Sequence, residues 1–340
     1  MRNITVLSIL VIIYFLIPGF CEAEENYSFS ITPHLGFVYG QAFEYVYPIP
    51  YPEKGYTMGE LLSELKWDMK PVFYTGIQLD FGRKNPTKKH GFFASVLFNY
   101  GIPGDSGTHE NRDWMSVENN ELTHFSHHTV NTNQFFRIDT DFGYSFPLSS
   151  VFYIKPLFNF SWMRFSFAGR NGYGKYARGK VYDSNGNPIS NNYSNNLYFP
   201  IDDDPLYVSY NEMEVIKYKQ DWFLVAAGFS VGAKISFFSI ELSFKISPLT
   251  FCLAIDQHLT TKAKYNDNTR FGLYIEPKGN ISFSFNSATI SLEVAYRYIG
   301  KTRGETYSGK LDSRFVSLST NKAGAGLSLL DTRLIFSWRF

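Results

Sequence analysis

Large apolar and polar side chains alternate residue by residue along much of this chain. In 73–81, Phe73, Thr75, Ile77, Leu79 and Phe81 share one face, and Tyr74, Gly76, Gln78 and Asp80 share the other. Ile138, Thr140, Phe142, Tyr144 and Phe146 alternate with Asp139, Asp141, Gly143 and Ser145. Ile240, Leu242, Phe244 and Ile246 alternate with Glu241, Ser243, Lys245 and Ser247; Ile290, Leu292, Val294, Tyr296 and Tyr298 alternate with Ser291, Glu293, Ala295 and Arg297. Period two means β-strand, because successive side chains leave the pleat on opposite sides. Aromatics on one face and charge on the other fit a strand with lipid outside and a polar interior. A soluble sandwich also alternates, but seldom puts aromatics outward on nearly every strand.

Such runs occupy roughly 28–42, 62–81, 90–103, 131–146, 150–168, 214–233, 236–256, 268–284, 288–301 and 323–340. The gaps 82–89, 147–149, 234–235 and 285–287 are short. By contrast, 43–61, 104–130, 169–213, 257–267 and 302–322 are long and polar. Short periplasmic turns and long outer loops are the rule of bacterial barrels. The expectation is therefore all-β: a ten-stranded antiparallel transmembrane barrel with both termini in the periplasm and long loops outside.

Export fits the start of the chain. A basic Arg2, the apolar stretch 6–20 and Ala23 read as a cleaved signal over 1–23, leaving 24–340 as one domain. Pro18-Gly19 would break a helix there, which disfavours a retained anchor. With Cys21 removed, Cys252 is the remaining cysteine and no intramolecular disulfide can form. A net charge of +1 argues against a nucleic-acid partner. A monomer in the outer membrane is expected.

Chemistry has few places to sit. Asp256 and His258 are two apart, so on an extended chain they face one side together. Outward parity is even up to Ile246 and odd by Leu253, which requires an irregularity between them. Pro248 is the natural place for it, and the shift turns Asp256 and His258 inward. A carboxylate beside an imidazole fixes its tautomer and supports its protonated form, making it a competent base for water. Asn111 and Asp113, also two apart, could face the same cleft from the opposite wall. The plainer alternative is a set of ordinary polar residues on a barrel rim. His124, His127 and His128 lack the glutamate of the helical zinc motif and read as solvated loop histidines, so no metal is expected. Cys252 lies within a strand and reads as buried.

At this point the residues resemble the omptins, ten-stranded outer-membrane proteases. Leu62-Ser63-Glu64-Leu65-Lys66-Trp67 resembles the start of their second strand, and Asn111-Arg112-Asp113-Trp114-Met115 resembles their catalytic Asp-x-Asp-Trp-Met. Asp256-Gln257-His258 falls on their Asp-x-His. Arg164-Phe165-Ser166-Phe167, Ile216 to Gln220, Leu292 to Tyr296 and Ala323 to Gly326 follow in the family's order. The resemblance implies an endopeptidase facing the cell exterior that cleaves polypeptides near basic residues. His258 would be the base, Asp256 its orienter, and Asn111 and Asp113 would hold the water and the tetrahedral intermediate, with no acyl-enzyme and no cofactor. Glu44 matches an acid of the specificity pocket. Arg164 matches part of the rim for lipopolysaccharide, the lipid on which omptins depend. Three positions depart from the pattern. Asn111 replaces an Asp, and an amide cannot take a proton. Ala254 replaces the pocket's second acid, which should weaken selectivity for a cation. Trp162 and Asp221 stand where the family has Glu and Arg. The alternative is thus an impaired barrel that serves as an adhesin or binding protein through its outer loops.

Overall fold

The computed structural model describes residues 27–48, 61–83, 85–116, 121–182, 188–191, 198–286, 288–313 and 317–339. The expected signal over 1–23 lies outside them. All the regular structure among the described residues is β. In chain order the strands are β1 (Tyr27–Val46), β2 (Ser63–Arg83), β3 (Gly91–Gly101), β4 (Gly104–Asp113), β5 (His124–Pro147), β6 (Phe152–Tyr176), β7 (Gly179–Tyr182), β8 (Pro188–Asn191) and β9 (Leu206–Ser209). They continue as β10 (Glu214–Ile235), β11 (Phe238–Ser247), β12 (Thr250–His258), β13 (Ala263–Arg270), β14 (Tyr274–Phe285), β15 (Ala288–Ile299), β16 (Arg303–Lys310) and β17 (Ser317–Arg339).

Antiparallel pairing runs β1–β2–β3–β5–β6–β10–β11–β14–β15–β17 and returns to β1. A second circuit is stacked on the first. It keeps β1, β2, β5, β6, β10 and β17, and substitutes β4, β12, β13 and β16 for β3, β11, β14 and β15. Closure pairs every strand of each circuit on both sides, which removes the open edges on which sheets aggregate. Two of the breaks between the circuits fall at prolines, Pro103 and Pro248, which cannot donate to a ladder. At the second, Ser247 restores the bonding: its hydroxyl donates to the Val225 carbonyl at 2.5 Å and accepts the Leu249 N–H at 2.8 Å. Parity shifts there as the alternation requires. Leu242 and Ile246 are exposed before it, Phe251 and Leu253 after it, and Cys252, Ala254 and Asp256 are buried.

Around the lower circuit the outward residues form an apolar belt that includes Leu35, Phe73, Phe98, Phe142, Phe158, Phe229, Leu292 and Phe336. Inside, Trp67, Tyr74, Phe135, Phe165, Phe167, Tyr218 and Trp222 are buried together. Trp67 stacks on both Phe167 and Tyr218 at 5.4 Å. Beneath these rings Asp331 accepts Arg137 at 2.9 Å, Arg297 at 2.7 Å and the Tyr74 hydroxyl at 2.5 Å. Burying such charges is tolerable only when they are paired.

The strands run further than alternation suggests. β5 begins at His124 and β6 continues to Tyr176, while β4, β16 and the first part of β13, 263–267, occupy stretches expected to be loop. β4, β13 and β16 carry mostly polar side chains on both faces, so the apolar contrast that marks a strand disappears while the backbone ladder continues. The histidines expected in a solvated loop are therefore on β5. His128 is buried, donating through Nδ1 to the Asn171 carbonyl at 2.5 Å.

Candidate active site

Seven strands of the upper circuit, β1, β2, β4, β12, β13, β16 and β17, converge on one cavity of about 270 Å³, lined by Glu44, Ser63, Asn111, Asp113, Asp256, His258, Tyr265, Asp267, Thr306 and Lys322 among others. Asn111 and Asp113 end β4, and their alternate-residue spacing turns both inward. Register places Asp113 opposite Ser63 and Asn111 opposite Leu65 on β2. Across the barrel, Asp256 and His258 end β12. The two pairs anticipated as opposing walls thus line the same space. Arg164 does not; it faces outward from β6.

On the first wall, Ser63 Oγ lies 2.5 Å from Asp113 Oδ1 and 3.1 Å from Asn111 Oδ1. One hydroxyl proton cannot serve both oxygens fully, and the shorter contact takes it. Asn111 Nδ2 donates to Asp113 Oδ2 at 3.1 Å. Asp113 therefore accepts two hydrogen bonds, but burial dominates and lifts its pKa to about 6, with Ser63, the His258 charge and Asn111 holding it from rising further. Ser63 was not singled out from the sequence. Its place inside the segment resembling the family's second strand was the available signal.

On the second wall, His258 Nε2 is 2.5 Å from Asp256 Oδ2. An ionised carboxylate only accepts, so Nε2 carries the hydrogen and Nδ1 keeps the lone pair. Burial opposes the imidazolium, but the Asp256 charge and hydrogen bond, with the Asp113 charge across the cleft, raise His258 above the usual histidine value. The ring edge rests against Tyr265, with centroids 5.5 Å apart. Asp113 and His258 line the same cavity, so the two walls face one space.

Beneath them Glu44 is 3% exposed, and its Oε2 has no partner. Burial, then the charges of Asp256 and Asp267, push its pKa well above the carboxylate range. Deeper on the β4 face, His109 packs at a tilt against Trp67, with centroids 4.1 Å apart, and stacks on His128 at 5.6 Å. Burial keeps His109 uncharged at neutral pH. No group of three or more His, Cys, Asp or Glu among the described residues is arranged to hold a metal ion.

Outside the barrel, Arg164 Nε and Nη2 lie 2.6 and 3.0 Å from the two carboxylate oxygens of Asp221, and Trp162 donates to the same carboxylate at 3.2 Å. The guanidinium is thus held by a forked ion pair within its own chain.

The omptin family model matches residues 25–340. No curated protein matches the chain. Among solved structures, the outer membrane protease OmpT from Escherichia coli matches with a TM-score of 0.75 at 18% identity, covering 92% of this chain and 97% of that one. The translocator domain of the autotransporter NalP from Neisseria meningitidis reaches only 0.34 at 9% identity, covering 96% and 93%. The likeness to OmpT concerns the fold. The family match, running from just past the expected signal to the last residue, settles membership: the chain belongs to the omptin family.

Proposed function

We propose that the protein is an outer-membrane endopeptidase of omptin type, hydrolysing extracellular polypeptides with a water activated by His258. Counting each strand split between the two circuits as one crossing gives ten transmembrane strands, with the cleft above the apolar belt on the outer side. The observation that carries the reading is the Asp256–His258 pair, hydrogen-bonded at 2.5 Å and lining one cavity with Asn111 and Asp113.

The chemistry follows from the hydrogen bonds. His258 Nδ1 takes a proton from water as the water oxygen attacks the peptide carbonyl. Asp256 steadies the resulting imidazolium, which then gives the proton to the leaving amine. Asp113, ionised above about pH 6, orients the water from the opposite wall. Asn111 can accept a hydrogen bond from that water through Oδ1 while Nδ2 holds Asp113. It cannot carry a proton through the cycle, and this alone favours the second reading, an impaired barrel that binds through its loops. Refolded protein offered a mixed peptide library should cut a defined subset of sequences. An inert wild type, with and without lipopolysaccharide, would leave the binding reading.

Lipid dependence should be weak, because Asp221 occupies Arg164. Asp221→Arg should free that guanidinium and set a second cation beside it. Charge-assisted hydrogen bonds to phosphate are worth roughly 1.5–3 kcal/mol, so lipopolysaccharide binding should tighten about tenfold or more. Titrating activity and lipid binding in detergent measures this, and an unchanged midpoint would remove Arg164 from the lipid site.

A further inference from the structure

Register places Asp267 on β13 directly opposite Ala254 on β12. Ala254 is the position where the resemblance leads one to expect an acid, and the side chain across the ladder supplies one. Cβ atoms of such directly paired residues lie only about 4.5–5.5 Å apart, so a carboxylate moved from one to the other can reach the same space. Asp267 is 4% exposed, and its Oδ1 has no hydrogen-bond partner. Glu44 Oε2 is likewise buried and unpartnered, and both side chains line the cavity beneath His258.

Two buried carboxylates with idle oxygens repel each other and forfeit solvation, an arrangement that a bound cation relieves. Burial, then the Asp256 charge, hold Asp267 at about pH 7, with the Thr306 hydrogen bond and the Lys322 charge at the rim drawing it down. Among the described residues no three such groups are arranged to share a compact metal ion. An extended side chain bearing a guanidinium or ammonium fits. It can enter from the cleft and present several N–H donors to separate oxygens.

We propose that Asp267 is a specificity-determining residue which, with Glu44, receives an arginine or lysine side chain beside the cleaved bond and replaces the acid absent at position 254. This rests on the protease reading and reverses the weakened selectivity expected from Ala254 alone.

Peptides that differ only in Arg, Lys, Gln or Leu beside the cut provide the test. Asp267→Asn should lower the Arg-to-Gln ratio of kcat/KM by roughly ten- to a hundredfold, the range for a lost charged hydrogen bond. Adding Ala254→Asp to that variant should restore the ratio. A ratio unmoved by Asp267→Asn overturns the proposal, as does a double variant that stays as unselective as the single. Agmatine, a small guanidinium probe, provides a readout that needs neither turnover nor a variant. It should bind the wild type, and His258→Ala equally, with proton release near pH 7. Absence of agmatine binding overturns the assignment. Failure to cleave any peptide while agmatine still binds would instead sink the protease reading alone.

Discussion

His258→Ala should lower kcat/KM by roughly 10³-fold or more, because the variant loses both the base and the group that returns the proton to the leaving amine. Asp256→Asn should be nearly as damaging, although it removes no proton acceptor. An amide at 256 can donate to Nε2, which would force the hydrogen onto Nδ1 and take the lone pair away from the water. The pH profile separates this from a structural defect. The base must be neutral to act, so activity rises with pH as His258 loses its proton, and a raised pKa moves that limb upward from the usual histidine position. Asp113, which must be ionised, contributes a step on the same side near pH 6. The residual activity of Asp256→Asn should therefore rise at lower pH than the wild type, since the carboxylate that supports the imidazolium is gone. A limb that stays in place would show that Asp256 does not set the titration. Wild type and His258→Ala equally inert would leave the fold as a binding barrel.

The lower circuit was legible because each of its strands separates an apolar outer face from a polar interior. Phe73 to Phe81 and Ile290 to Tyr298 state the period and the apolar outward face at once. Even the irregularity was legible, since parity changes between Ile246 and Leu253 and Pro248 stands between them. The upper circuit was not. Gly104 to Asp113 reads as a polar loop because neither face of β4 carries an apolar row, yet Asn111 through Asp113 is held to β2 and β5 by a regular ladder.

The site divides along the same line. Asp256 and His258 were legible because their partnership is local, two residues apart on one strand. Asn111 and Asp113 followed by the same spacing, which allowed them the opposing wall, and the resemblance supplied their catalytic role. Asp267 depends on the register of the β12–β13 hairpin, which no residue pattern in 259–270 specifies. Ser63 depends on the pairing of β2 with β4 across a long connection. Cross-strand neighbours are invisible until the register is known, and for that reason a substitution that looks like a loss, Ala254, turns out to have its acid on the neighbouring strand.

Asn111→Asp should raise kcat/KM roughly ten- to a hundredfold near neutral pH without changing which bond is cut. In the wild type the Asn111 amide already donates to Asp113 at 3.1 Å. That contact resembles a carboxyl pair sharing one proton, in which the protonated partner donates to the ionised one. Asn111 thus preserves the geometry of such a pair but cannot exchange its hydrogen, and general acid–base groups commonly contribute about 10²–10⁴ in rate. The gain should also carry its own pH signature. Two carboxylates this close cannot both ionise cheaply, so the pair keeps one proton to higher pH than an isolated acid would. The bond to Asp113 persists while that proton is held and is lost when it leaves. Wild-type activity should stay level on the alkaline side, whereas Asn111→Asp should turn downward there and give a bell-shaped profile. A rate gain with a flat alkaline side would mean that the new acid acts without sharing a proton with Asp113. No gain at any pH would mean that the cleft is built around the amide, with Asn111 working as the donor that keeps Asp113 in place.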